Sequence, residues 1–414
     1  MRSCWLAFVS ALLVAVAAVA ADNWPQFRGP NGTGHSDATG LPTKWSEKEN
    51  VVWKTAVHDK GWSSPVVWGN QVWLTTATAD GKQMFAVCVD RDKGTILHDI
   101  KLWDVEKPEP LGNPVNSYAS PTPAIEEGRV YITFGTYGTV CLDTTNGKRI
   151  WERHDLHCDH FRGPASSPIL WGNLVILNFD GIDVEYVIAL DKKTGDTVWK
   201  KDRSIDYKGA IGDLRKGYGT PAVITVKDKP QLVSPSAIAT IAYDPKTGDE
   251  LWKVYHAGMN TAAPPVYADG KLFIANGMGA LVAVRPDGSG DVTKTHLDWT
   301  CKKGVPTRVS PLVIGNKLYM VNEGGTLTCL ATKDGEQLWI ERLGDKFTSS
   351  PIYSDGKLYL FSEECKGIVA DVSKGWKEIA VNQLDDGCMA TPAVAGKALF
   401  VRTKTHLYRI EQKN

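Results

Sequence analysis

Apolar positions come in short runs bounded by turn residues, and the runs repeat. The segment Val187 to Trp199 shows the unit: apolar Val187-Ile188-Ala189-Leu190, a polar turn containing Thr194-Gly195, and a second run ending in Trp199. Such runs predict strands joined by tight turns. Close copies are Cys141-Leu142-Asp143 with Asn146-Gly147 and Trp151, Ala242-Tyr243-Asp244 with Thr247-Gly248 and Trp252, and Cys329-Leu330-Ala331 with Asp334-Gly335 and Trp339. In all four a small residue stands ten positions before the Trp. Repetition at this scale sets the architecture, because each unit buries its apolar face only against the next copy.

A second marker precedes each unit: a Pro, usually after Ser or Thr, then a strand and often a Gly. It occurs at Pro65, Pro123, Pro168, Pro221, Pro265, Pro311, Pro351 and Pro392, eight times in all. Proline at a strand start removes no ladder hydrogen bond, and Gly serves the following turn. The Trp strands are also eight but offset by one: Trp53, His98 in a Trp slot, Trp151, Trp199, Trp252, Trp299, Trp339 and Trp376. Trp53 precedes every Pro strand, whereas the strand Leu407-Tyr408-Arg409-Ile410 has no Trp strand after it. The pattern predicts an all-β, eight-bladed β-propeller of four-stranded blades, closed by the N-terminal Trp53 strand. Closure hides sheet edges that would otherwise be exposed. The turn between Ala283 and Trp299 reads as enlarged, and the one between Val369 and Trp376 as shortened. A seven-bladed ring with one degenerate unit is the alternative.

Residues 1–21 stand apart. Arg2 precedes an apolar run from Trp5 that ends in Ala18-Val19-Ala20-Ala21, which reads as a secretory signal peptide. The expectation is one propeller domain over 22–414, at about 49 residues per blade. The product is expected to be exported, periplasmic or secreted, soluble and monomeric. Cys4 precedes the apolar run and none follows it, so a lipid-anchored form is not supported. No second stretch is long and apolar enough to cross a bilayer. Lys plus Arg and Asp plus Glu are both 47, which removes the basic footprint of a nucleic-acid binder. Cys88, Cys141 and Cys329 fill the small-residue slot and read as inert packing. One disulfide among Cys158, Cys301, Cys365 and Cys388 is compatible with export, with the pair undetermined.

The Ala-Leu-Asp, Thr-Gly, Trp unit resembles the tryptophan-docking repeat of the PQQ-like, quinoprotein-type β-propellers, across nearly the whole chain. The resemblance implies that each Trp stacks between adjacent blades and that the Thr-Gly turn positions it. Trp24-Pro25-Gln26-Phe27-Arg28-Gly29-Pro30 resembles the N-terminal segment of exported bacterial members with no assigned reaction. The family includes quinone-dependent dehydrogenases and the non-catalytic lipoprotein of outer-membrane barrel assembly, so the repeat specifies a scaffold and not a reaction. The dehydrogenases resemble one another in a vicinal Cys-Cys disulfide, a Ca²⁺ site and a catalytic Asp. No two cysteines are adjacent here. Asp385-Asp386-Gly387 reads as a solvated turn, as do the acidic hairpin Asp180–Glu185 and the tip Glu363-Glu364-Cys365-Lys366.

His154, His157, Cys158 and His160 form the densest group of metal-type ligands, but their spacing matches no zinc pattern, and a polar blade-to-blade loop is the plainer reading. No catalytic residue is assigned. The loops leading into the Pro strands should cluster at one channel mouth, where they supply Trp62, Tyr118, His160, Phe161, Arg162, Tyr218, Asn260, Arg308, Phe347 and Met389. Aromatics with two arginines suit an anionic or planar ligand, or a peptide; filling of the channel, with the arginines paired to acids, is the competing reading. The expected function is a non-catalytic binding or scaffolding module for a protein or cell-envelope component. A divergent oxidoreductase using pyrroloquinoline quinone at that mouth is the alternative.

Overall fold

The computed structural model describes residues 23–112, 115–256 and 258–413. The signal-peptide reading and Cys4 lie outside the described residues. Eight sheets, each built on four antiparallel strands that are sequential in seven of them, make the blades, and two of the sheets gain a short fifth strand. Blades 1 to 8 begin at the inner strands Val66–Trp68, Ala124–Glu126, Ile169–Trp171, Ala222–Val226, Val266–Ala268, Leu312–Ile314, Ile352–Ser354 and Ala393–Ala395. Blade 8 takes its outer strand from the other end of the chain: Val51–Ala56 pairs antiparallel with His406–Glu411, Trp53 opposite Arg409. The eight-bladed ring and its closure through Trp53 are therefore present. Cys88, Cys141 and Cys329 are wholly buried in blade cores.

Between the third and outer strands of every blade the register slips at the repeat position. In blade 3, Ala189 opposes Trp199 and Leu190 opposes Thr197, leaving Val198 as the extra residue of a bulge. Val52, Leu97, Ile150, Val198 and Leu338 occupy that position and are exposed, although each neighbours a docking slot. The bulge turns the following side chain onto the next blade. Nε1 of Trp53, Trp151, Trp199 and Trp299 donates to the backbone carbonyls of Arg91, Lys192, Pro245 and Thr332, all in the next blade's turn. Glycine is required there: Gly195 has φ +77°, and a Cβ on it would lie 2.7 Å from the Trp151 ring.

One repeat assignment needs correction. Ala380, not Trp376, lies opposite Val369 in blade 7. Trp376 precedes the outer strand Lys377–Gln383 and packs on Trp339 at 6.4 Å. The turn is not shortened; counting by residue type picked a Trp that serves the neighbouring blade. In blade 4, Trp252 Nε1 donates to Gln231 of its own blade. The enlarged turn of blade 5 instead sends Gly290–Asp291 to pair parallel with Trp252–Lys253.

The N-terminal segment crosses under the ring. Trp24 exchanges backbone hydrogen bonds with Val67 of blade 1, and Pro25 O accepts from Ile125 N of blade 2. Arg28 then reaches Pro311 O, and Gly34 O accepts from Tyr353 N, in blades 6 and 7. His35–Ser36 adds a short parallel strand to blade 7. These bonds reach the inner strands of four blades, the Arg28 bond ending on the marker proline Pro311 itself. Gly29, at φ +84°, leaves room for the Trp24 ring, which a Cβ would approach to 2.8 Å. Arg28 is wholly buried and bonded to three carbonyls, those of Gly32, Thr33 and Pro311. Burial lowers its pKa to about 9, so it stays charged at neutral pH.

Candidate functional site

The hydroxyl of the Ser/Thr-Pro marker does structural work. The backbone N–H of Ser64 donates to Thr122 Oγ1, Thr122 N–H to Ser167 Oγ, and Ser167 N–H to Thr220 Oγ1. The chain resumes from Ser310 N–H to Ser350 Oγ, Ser350 N–H to Thr391 Oγ1, and Thr391 N–H back to Ser64 Oγ, at 2.9–3.1 Å. Each bond joins one blade to the next, so the inner rim is laced by hydroxyls. The lacing breaks at blade 5, where Pro264 offers neither hydroxyl nor N–H. Ser310 Oγ, which would receive that missing N–H, is buried without a partner. Ser350→Ala is expected to cost about 1–2 kcal/mol, because it strands the buried Ser310 N–H. Ser310→Ala should be near neutral; equal losses in a chemical denaturation series would contradict the lacing.

Above this rim lies a cavity of about 430 Å³. Trp62, Arg162, Tyr218, Asn260, Arg308 and Met389 line it together with the laced hydroxyls, and Phe27 of the N-terminal segment lines it too. The cavity is thus a cup in which aromatic rings and hydroxyls share the wall. Among the described lining residues none is Asp, Glu or Cys. Arg162 Nη2 pairs with Asp213 at 2.9 Å, and Arg308 Nη2 faces Glu363 at 3.7 Å. Both Nε atoms, and the Tyr218 hydroxyl, have no partner. Trp62 is held by its Nε1 donating to Val115 O at 3.0 Å. The two arginines therefore both pair with acids and keep donors unused. Phe27 had no assigned place in sequence, since its segment precedes every repeat.

Tyr118 and His160, placed at the mouth by sequence, lie outside the cup. Tyr118 packs on Tyr137 at 5.8 Å, with its hydroxyl donating to Glu109 O. Phe347 is buried in the core cluster of blades 6 and 7, and Phe161 is exposed. His160 is wholly buried beside Lys216 and Cys158. Thr136 N–H donates to His160 Nε2 at 3.0 Å, so that nitrogen holds the lone pair and Nδ1 carries the proton. Lys216 Nζ lies 3.3 Å from Nδ1 and donates to Asp180 O. Burial lowers the Lys216 pKa. Burial likewise pushes Cys158 up to about 12, which makes it a poor nucleophile.

The remaining members of the His154–His160 group are spread apart in role. His154 packs on Trp103 at 5.1 Å, and His157 Nδ1 meets Thr136 Oγ1 at 3.2 Å on the surface. Among the described residues no group of three or more His, Cys, Asp or Glu side chains is arranged to hold a metal ion. The acidic hairpin is not a solvated turn: Asp180 is buried against Arg203, and Glu185 pairs with Arg215 at 2.7 Å. Cys365, read as part of an exposed tip, is wholly buried.

A pH test follows from His160. Burial, then Lys216, hold its pKa well below 6.5. A depressed folded-state value contributes stability that is complete above the unfolded value and lost as pH falls, because the unfolded chain alone takes up the proton. Stability should drop by about 1.4 kcal/mol per pH unit below pH 6 through this group. Denaturation midpoints at pH 7 and pH 5.5 should show a smaller drop for His160→Asn than for the parent. An identical drop would contradict the buried neutral state.

Comparison with known proteins places this geometry. A family model described as "Outer membrane protein assembly factor BamB" matches residues 37–181, 109–201 and 237–375. BamB of Shewanella oneidensis is 23% identical over 70% of this chain and 74% of its own length. The quinoprotein alcohol dehydrogenase PedH of Pseudomonas putida is 30% identical over 38% of this chain, and only 26% of its own length is spanned. The structure of BamB from Moraxella catarrhalis covers 87% of this chain and 99% of its own, at 12% identity and a TM-score of 0.60. A europium-containing methanol dehydrogenase covers 93% and 90%, at 12% identity and a TM-score of 0.64. At those identities the structures speak for the propeller alone. No helix among the described residues is long and apolar enough to cross a membrane. With its docking repeats, its closed ring and a family model covering more than half of its length, the chain belongs to the β-propeller family described as outer membrane protein assembly factor BamB.

Proposed function

We propose that this protein is an exported, non-catalytic binding propeller whose cup takes an anionic group, a carboxylate of a partner protein in the cell envelope. One observation carries the reading: two guanidiniums, each about a third exposed, and the rings of Trp62 and Tyr218 line a cup whose described lining residues include no acid. Aromatic walls from Trp62, Tyr218 and Phe27 suit the apolar part of a peptide. Kinship with a barrel-assembly propeller supports a protein partner.

Pyrroloquinoline quinone, implied by the dehydrogenase relatives, is a planar polyanion, and the arginines and aromatic faces would suit such a shape. The donor set does not suit its oxidation chemistry. Among the described lining residues no carboxylate is present to bind an activating cation or to take a substrate proton. No catalytic step is derived through the quinone. Peptides ending in a free carboxylate, set against their amidated twins, test the reading by calorimetry. Binding by the acids alone is expected; quinone with Ca²⁺ giving dye-linked alcohol oxidation would overturn it.

A further inference from the structure

The structure brings two of the loop cysteines together. Cys365 sits in the hairpin tip of blade 7, and Cys388 in the segment leading into blade 8. Both are wholly buried in one cluster with Phe361, Leu384 and Phe400. Cys388 Sγ and Cys365 N–H meet the same carbonyl, Ser362 O, at 3.4 and 2.9 Å, which sets the two cysteines side by side. Backbone bonds hold the two segments in place: Leu384 N–H donates to Cys365 O at 3.3 Å, and Cys388 N–H to Glu363 O at 3.1 Å.

The hairpin's backbone adds an independent observation. Cys365 has φ +59°, in the left-handed region that favours glycine. The matching turn of blade 6 has Gly325 there, at φ +75°. Both turns close alike: Gly325 N–H donates to Asn322 O, and Cys365 N–H to Ser362 O, each at 2.9 Å. Blade 7 thus carries a side chain where blade 6 has none, and that side chain is a thiol beside the second cysteine.

We infer that Cys365 and Cys388 are a disulfide site that clamps the blade 7 hairpin to the segment entering blade 8. A thiolate of one cysteine attacks the disulfide of an oxidant, a dithiol oxidase or oxidised glutathione, and releases one oxidant thiol. The second cysteine attacks the resulting mixed disulfide and releases the other thiol. The pair thereby loses two protons and two electrons, which the oxidant takes up. Exchange runs while the hairpin is open, because burial, then Cys365, keeps the Cys388 thiol protonated once packed. The clamp borders the cup: Glu363 accepts from Thr348 Oγ1 and faces Arg308, and Met389 follows Cys388 into the wall. The inference holds whether or not the cup binds a partner.

Protein refolded in a glutathione redox buffer, then alkylated and digested without reduction, reads the site directly. The expected product is one peptide pair joined through Cys365 and Cys388, with two fewer titratable thiols than reduced protein. Its melting temperature should fall by at least about 2 °C on reduction, and Cys365→Ala protein should show no such dependence. Folded, oxidant-treated parent protein that keeps every thiol, or that links a different pair, would overturn the inference. The peptide map is read on the parent chain, so a variant that fails to fold leaves the test intact.

Discussion

Replacing Arg203 by Ala should cost about 3–5 kcal/mol of folding stability, the largest single loss expected in the ring. The side chains of Arg203 and Asp180 are 0% and 2% exposed. Arg203 Nε and Nη2 donate to the two carboxylate oxygens of Asp180, and Nη2 also donates to Ser234 Oγ at 2.9 Å. The pair therefore ties blade 3 to blade 4 beneath the mouth. Removing the arginine leaves a buried carboxylate without compensation, which is far costlier than losing a surface ion pair. The double change Asp180→Leu with Arg203→Met should be milder than Arg203→Ala, since no unpaired charge remains. Guanidinium denaturation measures both. A loss under about 1 kcal/mol for Arg203→Ala would contradict the reading of this pair.

The second large effect concerns binding. Arg162→Ala with Arg308→Ala should weaken a carboxylate-bearing peptide by about 100-fold or more, because each lost charge-assisted hydrogen bond is worth about 1.5–3 kcal/mol. Stability should change little. Both arginines are about a third exposed and their acid partners a quarter, so each pair contributes about 0–1 kcal/mol. Unchanged affinity with an unchanged melting temperature would remove the arginines from the proposed site.

Blade number was legible because the Pro marker sits at a covalently fixed point, the start of each inner strand, and recurs whatever the outer strand does. The Trp count was less secure. Docking depends on register across a bulge, so Ala380 takes the slot while Trp376 serves blade 6. The same bulge leaves Val198 and Ile150 exposed beside buried tryptophans, which period-2 alternation does not foresee. Of the mouth residues, Trp62, Arg162, Tyr218, Asn260, Arg308 and Met389 come together at the cup. Tyr118 and His160 do not, because Glu109 ties them outside it: its carboxylate accepts from His160 N–H, and its carbonyl accepts from the Tyr118 hydroxyl. The lacing hydroxyls were visible as a repeated Ser or Thr, and Pro264 was the signal that they had a partner to lose. The role of Phe27 was hidden: nothing in Trp24–Pro30 says that it runs beneath the ring.

The central claim is that the cup binds an anionic group without transforming it. Titrating the folded protein with a free-carboxylate peptide, then with its amidated twin, and assaying dye-linked oxidation with quinone and Ca²⁺ on the same preparation tests it most directly. The account predicts saturable binding of the carboxylate peptide, loss with the amide or with the double arginine variant, and no turnover. Equal binding of the two peptides, or quinone-dependent turnover, would contradict it.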